Sequence, residues 1–267
     1  KYWEKKSNLM TFADGPRNDW YGPDYILRKL ASEYKDPYAQ WLADELDRAN
    51  LCGSAARFLN LIWFDQSVKP KPPSDLPTFK YFDDIGINYI RSGWDGNENV
   101  FAFKCGPAIG HTALKKYSYD PGSGHVHPDA GSFLAFAYGD WLIIDDGYSF
   151  KSTSYQNTAL INGAGQIGEG DSWFKGDELF VSKKGAKILK AENSNYMSYI
   201  IGDLTSAYEE KSKLTKFIRH FTYIKPSVLI IIDEFETVKN KPATYKIYFH
   251  SEYTFNSLSE NTFSAVG

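Results

Sequence analysis

The sequence predicts a two-part α+β protein, in which a short α-helical segment precedes a large antiparallel β-sandwich. Three observations carry this prediction. Apolar residues recur at helical spacing over residues 1–66, four prolines interrupt residues 67–77, and short alternating runs separated by Gly, Asn and Asp fill residues 78–267. The first pattern is typical of helices, the second of an extended linker and the third of strands. We therefore place the domain boundary within residues 67–77.

Composition excludes several functional classes. The 267 residues include 42% apolar and 24% charged residues with a net charge of -3, which gives no general attraction to nucleic acid or to an anionic membrane. The longest aliphatic run, Val228 to Ile232, is far shorter than the roughly 20 residues of a membrane helix. Aromatic residues reach 16%, which suits β-sheets and sugar-stacking surfaces. We expect neither a nucleic-acid partner nor a membrane span.

The termini and the cysteines say little about the cellular compartment. Cys52 and Cys105 are too few and too isolated for a disulfide framework or a zinc knuckle. The chain begins at Lys1 without a signal peptide and stops at Gly267 directly after a predicted strand. We expect the chain to be a fragment that continues in a longer protein.

Three helices are predicted before the linker. The first opens at Asp24, and Asp36 with Pro37 caps the second. Ser54 is expected to cap a third helix, whose buried face would hold Phe58, Leu59, Ile62 and Trp63. The segment is expected to form paired antiparallel helices.

Many strands without intervening helices follow the linker. The best hairpin joins Phe133–Tyr138 to Trp141–Ile144 through Gly139 and Asp140. Further strands are predicted at Ile87–Arg91, Val100–Lys104, Leu179–Ser182, Met197–Ile201, Phe217–Ile224, Val228–Asp233, Thr244–His250 and Thr262–Val266. Such a series favours an antiparallel sandwich over a parallel sheet.

Two of the five histidines, His125 and His127, lie one residue apart. In an extended strand both imidazoles would point to the same face and could converge on one cation or one anionic ligand. The hairpin that follows ends in Asp145 and Asp146, which places carboxylates near imidazole. Histidine and aspartate side chains are common zinc ligands, although paired histidines on a strand are also often just polar residues that face solvent.

A long pattern of spaced residues starts at this histidine pair. It comprises His125, Gly139, Trp141, Asp145, Gly147, Tyr148, Asn157, Thr158, Gly163 and Gln166, and it continues with Gly202 to Thr205, Ala207, Tyr208, Arg219, Phe221 and Asp233. The pattern resembles the β-sandwich domain of heparinase II/III-like polysaccharide lyases, an architecture that alginate lyases share. The helices before Ser67 would then be similar to the end of the family's α/α toroid, which forms the other wall of the cleft.

The resemblance implies a structural zinc ion. His127 and Asp145 would be zinc ligands that brace the sandwich, and no organic cofactor is expected. The family's third ligand is a histidine directly before Asn and Thr, and Gln156 holds that position here. An amide oxygen is a weaker zinc ligand than imidazole. The metal is therefore expected to be weakly held, differently completed, replaced by a hydrogen-bond network, or absent.

The resemblance also implies β-elimination on a uronic-acid polysaccharide of the glycosaminoglycan or alginate type. The reaction needs donors on the uronate carboxylate, a base for the C5 proton and an acid for the leaving oxygen. His125 is expected to contact the substrate carboxylate or transfer a proton, with Tyr148 as a second catalytic candidate. Trp94 and Trp173 are candidate sugar platforms, although Tyr148 and both tryptophans could instead simply pack against the core.

The same resemblance places the remaining catalytic groups in the missing part of the toroid, so this chain would hold half a site. The expected partners are an acidic polysaccharide and the rest of that toroid, and the expected location is periplasmic or secreted.

Two other functions fit the residues. His127, Asp129 and a distant histidine could form the facial triad of a non-haem iron oxygenase, whereas a cupin is disfavoured because its expected glutamate is absent. The aromatic content also permits a non-catalytic carbohydrate-binding sandwich.

Overall fold

The computed structural model describes residues 9–15, 24–52, 57–145, 148, 151–170, 172–239 and 242–265. The chain divides into a helical unit of residues 1–9, 16–77 and 93–97, and a β unit of residues 10–15, 78–92 and 98–267. Within the described ranges, no helix combines the length and the apolar character needed to cross a membrane.

The helical unit contains helices α1 (Asp24–Tyr34), α2 (Pro37–Arg48) and α3 (Arg57–Trp63). Asp36 caps α2 as the sequence predicts, since its carboxylate accepts the backbone N–H groups of the first turn. The buried apolar residues Ala31, Ala39 and Val68 form a small core. The proline-rich stretch is tied to α2, because Lys71 N donates to Pro37 O at 3.0 Å.

The predicted buried face of α3 is wrong. Phe58 and Ile62 are exposed, Leu59 and Trp63 are only partly covered, and α3 has no buried residue. The helix meets α1 through the Tyr25 and Trp63 rings, whose centroids lie 6.3 Å apart. One neighbouring helix covers only a narrow strip of a helix surface. The predicted cap, Ser54, lies outside the described residues.

The β unit is built on two antiparallel sheets. The first has five strands and the second has four, and in each sheet neighbouring strands are consecutive in the chain. The first contains β1 (Phe79–Phe82), β2 (Ile87–Arg91), β3 (Val100–Lys104), β4 (Phe133–Ala137) and β5 (Asp140–Ile143). The second contains β7 (Lys187–Asn193), β8 (Met197–Asp203), β9 (Leu214–Ile224) and β10 (Val228–Thr237).

Two small antiparallel pairs and two short helices complete the β unit. The pairs are β6 (Ala159–Ile161) with β11 (Tyr245–Ile247), and β12 (Phe255–Ser259) with β13 (Thr262–Ala265). The helices are α4 (His111–Lys116) and α5 (Asp177–Ser182).

Aromatic side chains join the faces of the two large sheets. Phe103 of β3 stacks on Phe221 of β9 with centroids 5.1 Å apart, and Phe101 lies 4.6 Å from Tyr223. These rings belong to one buried core that takes residues from both sheets. The predicted fold class, a short helical segment followed by a large antiparallel β-sandwich, is confirmed.

Three local predictions differ from the structure. Leu179–Ser182 belongs to helix α5 rather than to a strand. Acidic residues occupy the first turn of this helix, and a run of three apolar residues is too short to distinguish helical from strand periodicity. The turn between β4 and β5 is formed by Tyr138 and Gly139, both with positive φ. The predicted strand Thr244–His250 is shortened to β11.

Candidate functional site

The two histidines of the pair lie in the loop before β4 and not in a strand. The two rings therefore do not share a face by strand alternation, yet both contact one anion. Asp14 Oδ2 lies 3.0 Å from His125 Nδ1, and Asp14 Oδ1 lies 2.7 Å from His127 Nε2. An ionised carboxylate can only accept hydrogen bonds, so each facing ring nitrogen carries a proton. The anionic ligand of the pair is thus supplied by the chain itself.

A lysine completes this cluster. Lys151 Nζ donates to Asp14 Oδ2 at 2.8 Å and to Gly124 O at 2.5 Å. The side chains of Lys151 and Asp14 are only 1% and 7% exposed. A buried ammonium needs a paired anion and further acceptors, and Asp14 with the Gly124 carbonyl provides both.

Burial separates the two histidines. The His127 side chain is fully buried, whereas that of His125 is 75% exposed. Burial lowers the pKa of His127, although the carboxylates of Asp129 and Asp14 act in the opposite direction. His127 is therefore a neutral ring near pH 7. Only His125 is open to a ligand.

Gln156 contacts the other nitrogen of His127. Its Nε2 lies 3.1 Å from His127 Nδ1, while its Oε1 is buried without a hydrogen-bond partner. A turned amide would bring Oε1 beside Nδ1 and leave both facing a cation. No three His, Cys, Asp or Glu side chains of the described residues come together as a metal site. A zinc ion here would depend on the Gln156 amide, and it stays a prediction.

Asn157 ties the predicted ligands to one region. Its Nδ2 donates to Phe133 O at 2.9 Å and to Ile144 O at 2.8 Å. The chain is thereby fixed just before the buried Asp145 and just after Gln156. This residue of the family pattern acts as scaffold rather than as a reacting group.

Two of the predicted aromatic residues lie beside His125. The Tyr148 ring centroid is 6.4 Å from that of His125, and the Trp173 ring covers Gly124, where an added Cβ would lie 3.1 Å from it. Tyr148 is 57% and Trp173 is 66% exposed. Exposed rings around an exposed imidazole form a surface suited to sugar stacking.

Trp94, the other predicted sugar platform, stays a prediction. It lies in the helical unit, where its Nε1 donates to Leu76 O at 2.9 Å.

A cavity behind His127 is too small for a sugar. It encloses about 20 Å³ and is lined in part by Asp129, Gln166 and Phe174. Such a volume holds about one water molecule. This cavity therefore does not hold a sugar ring.

Sequence reasoning missed Asp14 and Lys151. Asp14 is 111 residues from His125 in the chain, and Lys151 is 137 residues from Asp14. The pair Asp14 and Gly15 is typical of a turn, so no local pattern marks this carboxylate as part of a site.

The comparisons with known proteins identify a family. The family model described as "Heparinase II/III-like, C-terminal" matches residues 74–265. The solved heparan sulfate lyase HepC from Pedobacter heparinus has a TM-score of 0.57 at 17% identity, covering 86% of this chain and 30% of that chain. A structure of Heparinase III gives 0.53 at 17% identity with the same coverage.

A third structure, the Heparinase III-BT4657 gene product with methylated lysines, has a TM-score of 0.55 at 16% identity, covering 85% of this chain and 29% of that chain. At such identities the likeness establishes the fold alone. The chain spans about 30% of the length of the solved proteins it matches.

Proposed function

Because the chain belongs to the heparinase II/III-like family through its C-terminal domain, we propose that it is part of a polysaccharide lyase that cleaves a uronic-acid polymer by β-elimination. The observation that carries the proposal is the exposed His125, which lies beside the exposed Tyr148 ring and is hydrogen-bonded to the buried Asp14 of the Asp14–His127–Lys151 cluster. The exposed Trp173 ring lies against the neighbouring Gly124. A proton-transfer group needs a fixed orientation, and buried charged residues hydrogen-bonded to an exposed imidazole can provide it.

The reaction breaks two bonds of the uronate and forms one double bond. A base takes the C5 proton, the electron pair of that C–H bond forms the C4–C5 double bond, and the C4–O bond breaks. The leaving oxygen takes a proton from an acid. The C5 proton becomes acidic only when the neighbouring carboxylate is neutralised or hydrogen-bonded.

In this chain His125 would take part in carboxylate contact or in proton transfer, because its ring is accessible. Tyr148 is the second candidate, since its phenol lies on the same exposed surface. Trp173 would hold a sugar ring by stacking. Heparan sulfate lyases among the structural neighbours make a glycosaminoglycan the first polymer to test, with alginate next.

The rest of the catalytic machinery would come from further toroid helices of the same protein. Support comes from the helical unit, where Phe58 and Leu61 of α3 and Tyr34 of α1 are largely exposed. Additional helices would cover these apolar side chains. A lyase acting on such polymers would work in the periplasm or outside the cell.

A zinc ion would be held by His127, Asp145 and Gln156. It would brace the loop beneath His125 and leave the proton transfers to side chains. The buried, unpaired Oε1 of Gln156 supports this assignment.

The test uses the whole parent protein with a panel of uronate polymers. We expect the ultraviolet absorbance of the unsaturated product to rise, and His125→Ala to lower kcat at least about 100-fold because proton transfer loses its group. His111→Ala is the matched control, since His111 begins α4 and is not part of the cluster. Unchanged activity of His125→Ala would remove the proposed role of this residue.

A carbohydrate-binding module is the second candidate, because the exposed Tyr148 and Trp173 rings alone would suffice for binding. A parent protein that binds the polymer but never forms the unsaturated product would favour it. The oxygenase is disfavoured because the Asp129 carboxylate is already held 2.7 Å from Lys104 Nζ in a buried ion pair.

A further inference from the structure

Among the residues that the structure describes, the carboxylate of Asp14 contacts nitrogen atoms of His125, His127 and Lys151, and the last two of these side chains are buried. We propose that Asp14 is a positioning residue, which fixes the His125 ring so that Nε2 faces the substrate. This inference rests on the proposed lyase function, and it adds a residue from outside the family pattern.

The contacts leave the carboxylate little freedom. Oδ1 accepts from His127, and Oδ2 accepts from both His125 and Lys151. Because His127 and Lys151 are buried, they set the place of the carboxylate before any substrate arrives. The exposed His125 then takes its orientation from a fixed acceptor.

The strap of residues Met10–Gly15 carries this carboxylate and has anchors of its own. Asp14 N donates to His125 O at 3.3 Å, and Tyr89 Oη donates to Met10 O at 3.4 Å. The Phe12 ring also lies 6.0 Å from Lys104 Nζ. The strap can therefore stay docked when only the charge of Asp14 is removed.

The contact with Asp14 determines which ring nitrogen of His125 is available to a substrate. The proton lies on Nδ1, because the ionised carboxylate can only accept. In the neutral ring Nε2 is then a bare acceptor, and it has no hydrogen-bond partner among the residues that the structure describes. A bare nitrogen on an exposed edge can accept a proton from a sugar.

The experiment compares Asp14→Asn with Tyr89→Phe in the whole parent protein. Asn has the size of Asp but turns an NH₂ group toward the histidines or the lysine, so we expect kcat to fall about 100-fold while KM changes less than about threefold. Tyr89→Phe loosens the strap without touching the carboxylate, and both constants should stay within about twofold. An equal loss in the two variants, or an unchanged kcat in Asp14→Asn, would overturn the proposal.

Two further measurements distinguish a positioning role of Asp14 from a role in folding, and test that role independently of the proposed lyase function. Asp14→Glu keeps the charge and should recover kcat to within about tenfold of the unmodified protein, whereas a loss equal to that of Asp14→Asn argues against the proposal. Crystal structures should show the His125 ring turned away in Asp14→Asn with the strap still docked, and an unmoved ring would refute positioning. If the unmodified protein cleaves no polymer, the proposed lyase function is wrong. The orientation of the His125 ring in the crystal structures still tests whether Asp14 positions that ring.

Discussion

At the scale of single residues, burial gives the two histidines different roles: the buried His127 has a structural role, and the exposed His125 can contact a ligand. Both nitrogens of His127 are engaged, one by Asp14 and one by the Gln156 amide, whereas His125 keeps one nitrogen open. Two residues of the same type and two positions apart thus have different chemistry, because only one of them is desolvated.

The residue at position 156 should decide how tightly zinc is held. Gln156→His supplies a second imidazole beside His127, so we expect zinc affinity to rise about tenfold or more. After dialysis against a chelator, metal analysis should find about one zinc ion per chain in the variant and less in the unmodified protein. Gln66→His, on the exposed surface, is the control and should behave like the unmodified protein.

Zinc bound equally tightly by the unmodified protein and by the Gln156→His variant would contradict this prediction. It would mean that the third ligand comes from elsewhere in the protein.

At the scale of elements, strand β9 ties the sandwich to the loops of the site. Arg219 is fully buried and forms a bidentate pair with Asp233 of β10, with both distances 2.7 Å. Its Nη1 donates to Gly131 O, after the histidine loop, and to Asn157 O, beside Gln156, also at 2.7 Å. One side chain therefore holds two site loops onto the second sheet.

Arg219→Met should lower the free energy of unfolding by about 3–5 kcal/mol, because it leaves Asp233 buried without its partner and frees two carbonyls. Lys216→Met on the same strand is the matched control. Its pair with Glu234 is exposed, so we expect a loss of about 0–1 kcal/mol. Urea unfolding measures both, and equal losses would show that Arg219 has no special role.

At the scale of the whole molecule, the two units differ in how completely they bury their apolar residues. The β unit has a continuous core between its sheets, whereas the described part of the helical unit buries few apolar residues and leaves Leu61 85% exposed. A monomer rarely exposes such a set of large apolar side chains without a partner. The proposed toroid helices would supply that cover.

Leu61→Ser tests whether toroid helices cover α3, by comparing the loss of unfolding free energy in this chain with the loss in the longer parent protein. In this 267-residue chain the change should alter the free energy of unfolding by less than about 0.5 kcal/mol, since Leu61 is in water. In the longer parent protein the loss should be about 1–3 kcal/mol, because added helices would bury the side chain. Thermal unfolding of both proteins gives the comparison.

Leu46→Ala is the control, because Leu46 is buried in this chain and the change should destabilise both proteins. A small and equal effect of Leu61→Ser in the two proteins would argue against toroid helices packing on α3.

Local patterns in the sequence determined the fold class, the cap of α2 and the central strands of both sheets. These features depend on residues close together in the chain, such as Asp36 with Pro37 or the alternating residues of β9. Short apolar runs were ambiguous for the same reason, and Leu179–Ser182 became a helix because its neighbours decided its period. The family pattern likewise lies in the sequence, and it marked His125 and His127.

Only the tertiary structure decided what these histidines contact. The partner carboxylate of Asp14 and the ammonium of Lys151 come from distant parts of the chain, and no spacing rule connects residues separated by more than 100 positions. The burial of His127 and the exposure of His125 could not be predicted from the sequence either, because histidine occurs both in cores and on surfaces. The chemistry of the site depends on desolvation and convergence, and both arise only when the chain has folded.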